Sequence, residues 1–315
     1  MRIGVWGAGG AAGAALVPEL SRRGHQVRVV GRNEAALRAH FGGGDVEIVP
    51  ADLERSDEAL RAAESLDAIA YLVGVPYWQF DLHPKMMRIA LDAARRAHVR
   101  RFFHLSNVYV YGKPQRTPVD ETHPLEPETR KGRYRLEQER LALDANGDEL
   151  RTTVLRPPDY YGPFPERSLV GGIFTGALDD KPAQVLGPID TPHEFAFTPD
   201  LGPVIATMLE AENVWGEAFN FAGPATISVR KFGELVYAAL GRRPRFTVAN
   251  EAMLRLFGLF NPLMRELVEM QYLQSTPVLL DDGKLRARIG SVRKTEYAEG
   301  IRLTLEALRA KASVA

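Results

Sequence analysis

The sequence predicts an α/β protein with a doubly wound parallel sheet, followed by a smaller C-terminal α+β domain. Two observations predict this class. Apolar runs of strand length alternate with helical segments through the first half of the chain, an order that builds a parallel sheet covered by helices. The apolar runs are mostly uninterrupted, as expected when both faces of each strand are buried.

The elements follow one another regularly along residues 1–160. Strands are predicted at residues 3–6, 27–30, 46–49, 68–73, 102–105 and 152–155. Helices are predicted at residues 11–23, 33–40, 57–65, 84–97 and 130–145. Each strand is thus separated from the next by a helix, which requires parallel strands joined by crossovers.

The alternation stops after Arg156, where prolines open a segment of short elements. Residues 194–209 and 217–221 are expected to return to the main sheet. The predicted first domain therefore covers residues 1–160 with return segments at about 194–222. The second covers mainly 161–193 and 223–315 and is expected to bind the substrate.

Composition excludes several classes of function. Forty basic residues balance forty acidic ones, so no global field would attract nucleic acid or an anionic membrane. The chain has no cysteine, which rules out disulfides and thiolate metal sites, and its histidines lack a metal-binding spacing. A strand begins almost at the N-terminus, so we expect no signal peptide and a cytoplasmic location. We expect the protein to be a monomer or a homodimer.

A glycine-spaced turn follows the first strand. Gly7, Gly10 and Gly13 recur with two residues between each, directly before an Ala/Leu-rich helix. In a Rossmann-type fold such glycines allow a tight turn, a close approach of the backbone to a pyrophosphate and close helix packing. The residues expected to bind a dinucleotide here are Gly7, Gly9, Gly10, Ala11, Ala12 and Gly13.

The residue after the second strand indicates which dinucleotide is bound. Arg32 stands where NAD enzymes usually carry an acidic residue, and arginine can pair with a 2′-phosphate. We therefore expect NADP(H) rather than NAD(H), with a solvated arginine as the alternative. Further nucleotide contacts are expected from residues at later strand ends, namely Asp52, Leu53, Leu72, Val73 and Gly74.

Three motifs carry a family resemblance. Residues 104–112 read His-Leu-Ser-Asn-Val-Tyr-Val-Tyr-Gly, residues 155–163 read Leu-Arg-Pro-Pro-Asp-Tyr-Tyr-Gly-Pro, and residues 197–201 read Phe-Thr-Pro-Asp-Leu. They are similar to the Ser-Ser-x-x-Val-Tyr-Gly, Arg-Pro-x-x-x-Tyr-Gly-Pro and Val-x-Asp-Val segments of the extended short-chain dehydrogenases/reductases. The chain most resembles their NAD-dependent epimerase/dehydratase branch. The resemblance implies that Pro157 borders the cofactor.

The catalytic residues depart from the family pattern. Asn107 replaces the Ser or Thr that binds the reacting carbonyl. If Glu139 aligns with the glutamate that follows the family's Tyr-x-x-x-Lys, Arg135 takes the place of the lysine and Lys131 that of the tyrosine. The other register, Tyr134-x-x-x-Gln138, keeps a tyrosine but loses the cation.

Chemical roles remain available to these residues. An amide N–H of Asn107 can donate to a carbonyl oxygen, and Arg135 can hold the nucleotide. Lys131, desolvated beside Arg135, is a candidate acid or base, with Tyr109, Tyr111 and Tyr134 as rival proton donors. The alternative is that Lys131 and Arg135 form a solvated basic face.

The predicted function is NADP(H)-dependent oxidation or reduction of a small molecule by hydride transfer. The substrate is expected to contact Tyr77, Trp78, Asn107, Asp159 and Tyr160. A different hypothesis is a non-catalytic NADP(H)-binding sensor, which the altered catalytic motif favours.

An apolar stretch at residues 253–260 reads Met-Leu-Arg-Leu-Phe-Gly-Leu-Phe. We expect it to form a helix that lines an apolar pocket or packs in the second domain, with membrane contact as the alternative.

Overall fold

A computed structural model describes residues 1–164 and 168–312. Residues 165–167 and 313–315 of the expected second domain lie outside the described residues. The strands are β1 Arg2–Trp6, β2 Gln26–Gly31, β3 Val46–Pro50, β4 Ala68–Tyr71, β5 Arg101–Leu105, β6 Arg151–Arg156, β7 Tyr160–Tyr161, β8 Ala183–Leu186, β9 Pro192–His193, β10 Ala196–Phe197, β11 Ala218–Asn220, β12 Ile227–Ser228 and β13 Phe246–Ala249.

Helices connect these strands and form most of the C-terminal part. They are α1 Ala11–Arg22, α2 Glu34–Phe41, α3 Ser56–Ala63, α4 Leu82–Arg96, α5 Arg130–Asp144, α6 Gly171–Leu178, α7 Thr198–Glu210, α8 Val229–Ala238, α9 Glu251–Phe257, α10 Pro262–Met270, α11 Tyr272–Ser275, α12 Gly283–Ile289 and α13 Tyr297–Ala312. Short 3₁₀ turns lie at Tyr77–Gln79 and Val108–Tyr111. No helix in residues 1–164 and 168–312 is long and apolar enough to cross a membrane.

Seven strands form one parallel sheet in the order β11-β6-β5-β4-β1-β2-β3. This confirms the predicted doubly wound α/β class. The chain runs outward from β1 to β3 and then crosses back to β4, so β1 pairs with both β2 and β4. The connection that follows β1 and the connection that follows β4 leave the sheet in opposite directions. A crevice therefore lies at the carboxyl ends of β1 and β4, the place where α/β proteins bind ligands.

Both faces of the sheet are buried. On one face α1 and α7 pack together through residues such as Leu16 and Ile205, and on the other face α3 and α4 contribute Ala59 and Met87. Because helices cover both faces, the strands carry long apolar runs, which explains why their positions are predictable from sequence. β4 ends at Tyr71, two residues before the predicted end.

The C-terminal part contributes two further packed regions. An aromatic core that includes Tyr161, Phe174 and Phe232 joins α6, α8 and α13. Separately, Met270 and Leu273 pack with Tyr109 and Leu136. Helices α10 and α11 are thereby held against the segment that follows β5 and against α5, beside the crevice.

The apolar stretch at residues 253–260 is only partly packed. A helix is confirmed over its first part by α9, and Leu254 is fully buried. The expectation that the rest packs inside the protein is wrong, because Leu256, Phe257, Leu259 and Phe260 are 59%, 50%, 74% and 86% exposed.

Candidate active site

The glycine turn after β1 is shaped by close backbone contacts. Gly7 has φ of +86°, and a Cβ there would lie 2.9 Å from the carbonyl carbon and oxygen of Leu72. A Cβ on Gly13 would lie 2.3 Å from the Ala8 carbonyl oxygen. Side chains at these two positions would separate β1 from β4 and from α1, so only glycine allows the turn to form.

The start of α1 presents free backbone donors to the crevice. Gly10 precedes the helix in an extended conformation, and within the described chain no side chain caps it. The first amide N–H groups, those of Ala11, Ala12 and Gly13, therefore have no intrahelical acceptor. Among the described atoms, a Cβ on Gly9 would have only Leu37 within 4 Å, which leaves space at the positive end of the helix for an anion.

The end of β2 carries the residue expected to select the nucleotide. Arg32 is mostly exposed, with Nη1 3.9 Å from Glu54 Oε1. Asp52 accepts a hydrogen bond of 3.1 Å from the Glu54 amide, and Leu53 is buried beside it. Leu72, Val73 and Gly74 follow β4 at the same edge of the sheet. These residues surround one end of the crevice, and their contacts with a nucleotide stay a prediction.

Arg135 is a buried cation at the carboxyl end of β5. Its Nη2 donates to the Leu105 carbonyl oxygen at 3.0 Å, and its Nη1 donates to Gln138 at 2.6 Å and contacts His83 Nδ1 at 3.3 Å. Among the residues that the structure describes, no carboxylate pairs with it, and its buried Nε has no hydrogen-bond partner. Burial lowers the pKa of this guanidinium. An uncompensated donor at this edge fits a ligand that brings hydroxyl or phosphate oxygens.

Lys131 lies one helical turn before Arg135 on the same buried face of α5. Its ammonium pairs with Glu266 and, at 2.8 Å, with Glu269, both from α10. The Lys131 backbone amide also donates to Glu269 Oε1 at 3.1 Å. The alternative of a solvated basic face therefore does not hold, since Lys131 and Arg135 are 1% and 5% exposed.

Asn107 and two tyrosines lie where β5 ends. Asn107 Oδ1 accepts from the Tyr109 amide at 3.1 Å, so its side-chain NH₂ is the group left to donate to a ligand. The hydroxyls of Tyr109 and Tyr77 lie 3.0 Å apart. Burial raises the pKa of Tyr109 well above its usual value, and nearby Tyr77 and Asp159 raise it further. The hydroxyl of Tyr109 is therefore protonated at neutral pH.

The other predicted site residues are distributed around this centre. Pro157 is buried after β6, and Tyr160 is half-buried on β7. Asp159 lies 3.3 Å from His193 Nε2. Trp78 is 52% exposed, whereas Tyr134 is half-buried against the cluster around Tyr109. Gln138, the partner of Tyr134 in the second register, is buried and accepts the bond from Arg135.

A buried polar network fixes α5 against the sheet. Glu139 pairs with Arg156 through the guanidinium Nε at 3.1 Å and through Nη2. Arg156 also donates to the Tyr111 hydroxyl at 2.8 Å, which in turn donates to Asn220 at 2.7 Å. These bonds join α5, β6, β11 and the 3₁₀ turn after β5, and they set which residues of α5 face the crevice.

The side of the crevice around Tyr272, where the substrate is expected to lie, is aromatic and acidic. Burial raises the pKa of Tyr272, and three neighbouring carboxylates, Asp159, Glu128 and Glu269, add to this. Its buried hydroxyl has no hydrogen-bond partner in residues 1–164 and 168–312. Sequence reasoning missed Glu266, Glu269 and Tyr272, because no local motif connects them with α5.

The comparisons with known proteins agree with this architecture. The model of the NAD dependent epimerase/dehydratase family matches residues 3–222. A curated relative from Stigmatella aurantiaca, 4-hydroxy-2-methyl-3-oxo-4-farnesyl-3,4-dihydroquinoline-1-oxide ketoreductase, is 26% identical, and the match covers 98% of this chain and 96% of the relative. The 3 beta-hydroxysteroid dehydrogenase/Delta 5-->4-isomerase of Mycobacterium tuberculosis is 26% identical over 80% of this chain and 73% of its own.

Solved structures show the same fold. UDP-glucuronic acid 4-epimerase from Bacillus cereus, in complex with NAD, superimposes with a TM-score of 0.81 and 17% identity over 99% of both chains. The dTDP-glucose 4,6-dehydratase of Streptomyces venezuelae, with NAD and TYD bound, gives 0.82 and 20% identity over 100% of this chain and 98% of its own. The sheet, the glycine turn and the family match agree, and the chain belongs to the NAD dependent epimerase/dehydratase family.

Proposed function

We propose that this protein is an NADP(H)-dependent oxidoreductase that transfers hydride to or from a carbonyl or secondary alcohol of a small molecule. The observation that carries the proposal is Arg135, a buried cation without a carboxylate partner in the described chain, with an unpaired Nε. It lies at the same edge of the sheet as the glycine turn. One crevice thus holds donors for a pyrophosphate at one end and for ribose hydroxyls or phosphate at the other.

The proposed preference for NADP(H) depends on Arg32. Its exposed guanidinium follows β2, where it would meet a 2′-phosphate. Relatives with the same fold are described in complex with NAD, so the preference rests on this chain's own residue. Calorimetric titration with NADPH and NADH tests it. Equal affinities, or tighter binding of NADH, would contradict it.

The residues around the crevice supply the remaining chemistry of the proposed reaction. The glycine turn and Arg135 would hold the nucleotide, which would supply the hydride for the carbonyl carbon. The Asn107 amide donates a hydrogen bond to the carbonyl oxygen, which gains negative charge as the C=O π electrons move onto it. The Lys131 ammonium gives that oxygen a proton, and the neutral amine regains one from solvent through Glu269, which is 25% exposed. The hydroxyl of Tyr109 is the rival donor.

The proposed substrate is an uncharged and largely apolar ketone or alcohol. The side of the crevice proposed to face the substrate contains the carboxylates of Asp159, Glu266 and Glu269. Among the described residues, Lys131 pairs with both glutamates, Arg130 lies 3.5 Å from Glu266, and His193 lies 3.3 Å from Asp159. Because these groups already have carboxylate partners, they would contribute little to binding a diphosphate. The named activities of two curated relatives concern a farnesylated quinoline oxide and a steroid, which agrees with an apolar substrate, whereas a third relative is named a UDP-glucose epimerase.

Single-turnover reduction with NADPH tests this function. A panel of steroid and prenylated ketones should oxidise bound NADPH, whereas UDP-sugars and dTDP-sugars, whose secondary alcohols can only give up a hydride, should not reduce bound NADP+. Reduction of NADP+ by the sugar nucleotides, without any oxidation of NADPH by the ketones, would overturn the proposed substrate class. Loss of nicotinamide absorbance and mass-spectrometric detection of the alcohol provide two independent readouts.

A second candidate is a non-catalytic NADP(H) sensor. The ion pairs of Lys131 with Glu266 and Glu269 favour it, because they occupy the side chain that would otherwise exchange a proton. Tight nucleotide binding without turnover of any compound in both panels would support this candidate against the enzyme.

A further inference from the structure

The turn between α9 and α10 exposes a group of large apolar side chains, here called the apolar tip. Its members are Leu256, Phe257, Leu259, Phe260 and Leu263. They lie within eight consecutive positions, and Phe260 is 86% exposed. Leu254, on the same segment, is fully buried, so the turn is anchored while its outer surface stays in contact with water. An apolar surface of this kind indicates a contact with something other than water.

Two exposed arginines and one exposed glutamate flank the apolar tip. Arg255 and Arg265 are 70% and 67% exposed, and Arg255 pairs at 2.6 Å with Glu251, which is 56% exposed. The carboxylate of Glu266, the residue after Arg265, is 9% exposed and faces Lys131. Aromatic and aliphatic side chains bordered by exposed arginines are typical of segments that lie in the interface of a membrane with anionic lipid.

The size of the apolar tip argues against a second copy of the chain as its partner. Its exposed apolar surface is about 600 Å², taking about 200 Å² for a fully exposed large apolar side chain. Stable protein interfaces bury about 800 Å² on each partner and require a complementary surface. A lipid surface accepts a small protruding group of side chains without such complementarity.

The apolar tip is also connected directly to the active site. Helix α10 begins at Pro262, within the tip, and its next turns carry Glu266 and Glu269 to Lys131. The same helix packs on the 3₁₀ turn that contains Tyr77 and Trp78. A contact made at the tip would therefore place the substrate side of the crevice close to the surface that is contacted.

We propose that the apolar tip docks on the surface of a lipid membrane and that apolar substrates enter the site from that surface beside α10. The docking itself is independent of the proposed function, whereas the route of the substrate rests on it. Docking of this kind departs from the expectation, based on the balanced net charge, that the protein has no membrane partner. Five apolar side chains and two arginines can provide the contact without a transmembrane segment.

Flotation of the full chain with phospholipid vesicles tests the proposal. The vesicles are phosphatidylcholine alone and phosphatidylcholine with phosphatidylglycerol. We expect binding to both, several-fold tighter when the anionic lipid is present. The double variant Leu259→Asp/Phe260→Asp should bind about tenfold more weakly or worse, since two large apolar side chains no longer enter the interface. The matched control Ala238→Asp/Ala239→Asp adds the same charge at exposed positions of α8 and its C-terminus and should bind like the original chain.

Two results would overturn the proposal. One is an original chain that stays with the unbound protein in both vesicle preparations. The other is an equal loss of binding in the control, which would assign the effect to net charge. Sedimentation velocity adds a third measurement, because a dimer that the tip variant dissociates would assign the surface to a second copy instead. Calorimetric NADPH titration of the tip variant is unaffected by docking, so failure here is distinguishable from failure of the proposed function.

Discussion

The expected nucleotide end and the proposed catalytic end of the crevice are built in different ways. At the nucleotide end, Gly7 and Gly13 bring backbone atoms so close together that a Cβ would overlap them, and the donors are main-chain amides. At the catalytic end, the groups are side chains, and Lys131 meets glutamates 135 and 138 residues further along the chain. Backbone geometry therefore specifies the first end, and side-chain pairing between distant segments specifies the second.

This difference implies that the two ends tolerate change differently. A backbone donor cannot be altered by substitution without altering the fold, whereas a side chain can be replaced while the helix that carries it stays in place. Substitution of Lys131 should therefore separate turnover from nucleotide binding. Substitutions in the glycine turn should remove both together.

The largest expected effect is on turnover at Lys131. If its ammonium gives the proton, Lys131→Met should reduce the single-turnover rate by about 10²–10⁴-fold, while NADPH affinity changes little. Tyr134→Phe, on the same helix, should leave the rate nearly unchanged. Rapid-mixing measurements on both variants test this, with thermal unfolding to check that the variant folds. A slower rate in Tyr109→Phe than in Lys131→Met would identify the tyrosine as the donor.

The second-largest expected effect is a lower free energy of unfolding when a glycine at the nucleotide end is replaced. Gly13→Val would place Cβ 2.3 Å from the Ala8 carbonyl oxygen, and separating α1 from β1 should cost about 3 kcal/mol and abolish nucleotide binding. Gly147→Val is the matched control, because a Cβ there has no described atom within 4 Å. Urea unfolding measures both. Equal free energies of unfolding would show that the glycine turn is not constrained as described.

A smaller effect is expected when Arg135 is removed. Arg135→Ala should weaken NADPH binding roughly tenfold to a hundredfold, since hydrogen bonds to a charged group contribute about 1.5–3 kcal/mol. Arg133→Ala serves as the control, because Arg133 is exposed on the same helix and donates to the Glu128 carbonyl oxygen. Calorimetric titration with NADPH gives the dissociation constants of the two variants for comparison. Undiminished affinity in Arg135→Ala would remove this residue from the nucleotide site.

The smallest effect is expected at Arg32. Its side chain is 66% exposed, so its contact with a 2′-phosphate should contribute about 1.5 kcal/mol, the lower end for a charge-assisted bond. Arg32→Asp should therefore reduce the preference for NADPH over NADH by about tenfold. Arg38→Ala, which removes an exposed arginine from α2, should leave the preference unchanged. The ratio of the two dissociation constants is the measurement.

Sequence reasoning was accurate where the controlling interactions are local. The order of strands and helices and the glycine turn could be predicted, because apolar periodicity and backbone conformation depend on neighbouring residues. The placement of Lys131 and Arg135 on one face of α5 followed from helical spacing. The partners Glu266 and Glu269 could not be found in this way, because only the tertiary fold brings α10 to α5. The exposure of Phe257 and Phe260 was missed because apolar composition does not reveal which side chains stay outside.

The bonds between Glu139, Arg156, Tyr111 and Asn220 have a consequence for how such a protein can diverge. They hold helix α5 in position without using any residue that is proposed to contact the reacting atoms. The residues of this network therefore differ from the residues proposed to take part in the chemistry. Substitutions at positions 107, 131 and 135 can therefore introduce new acids, bases or ligand-binding groups while the backbone keeps its position. Residues at these three positions can differ between relatives that share the same placement of α5.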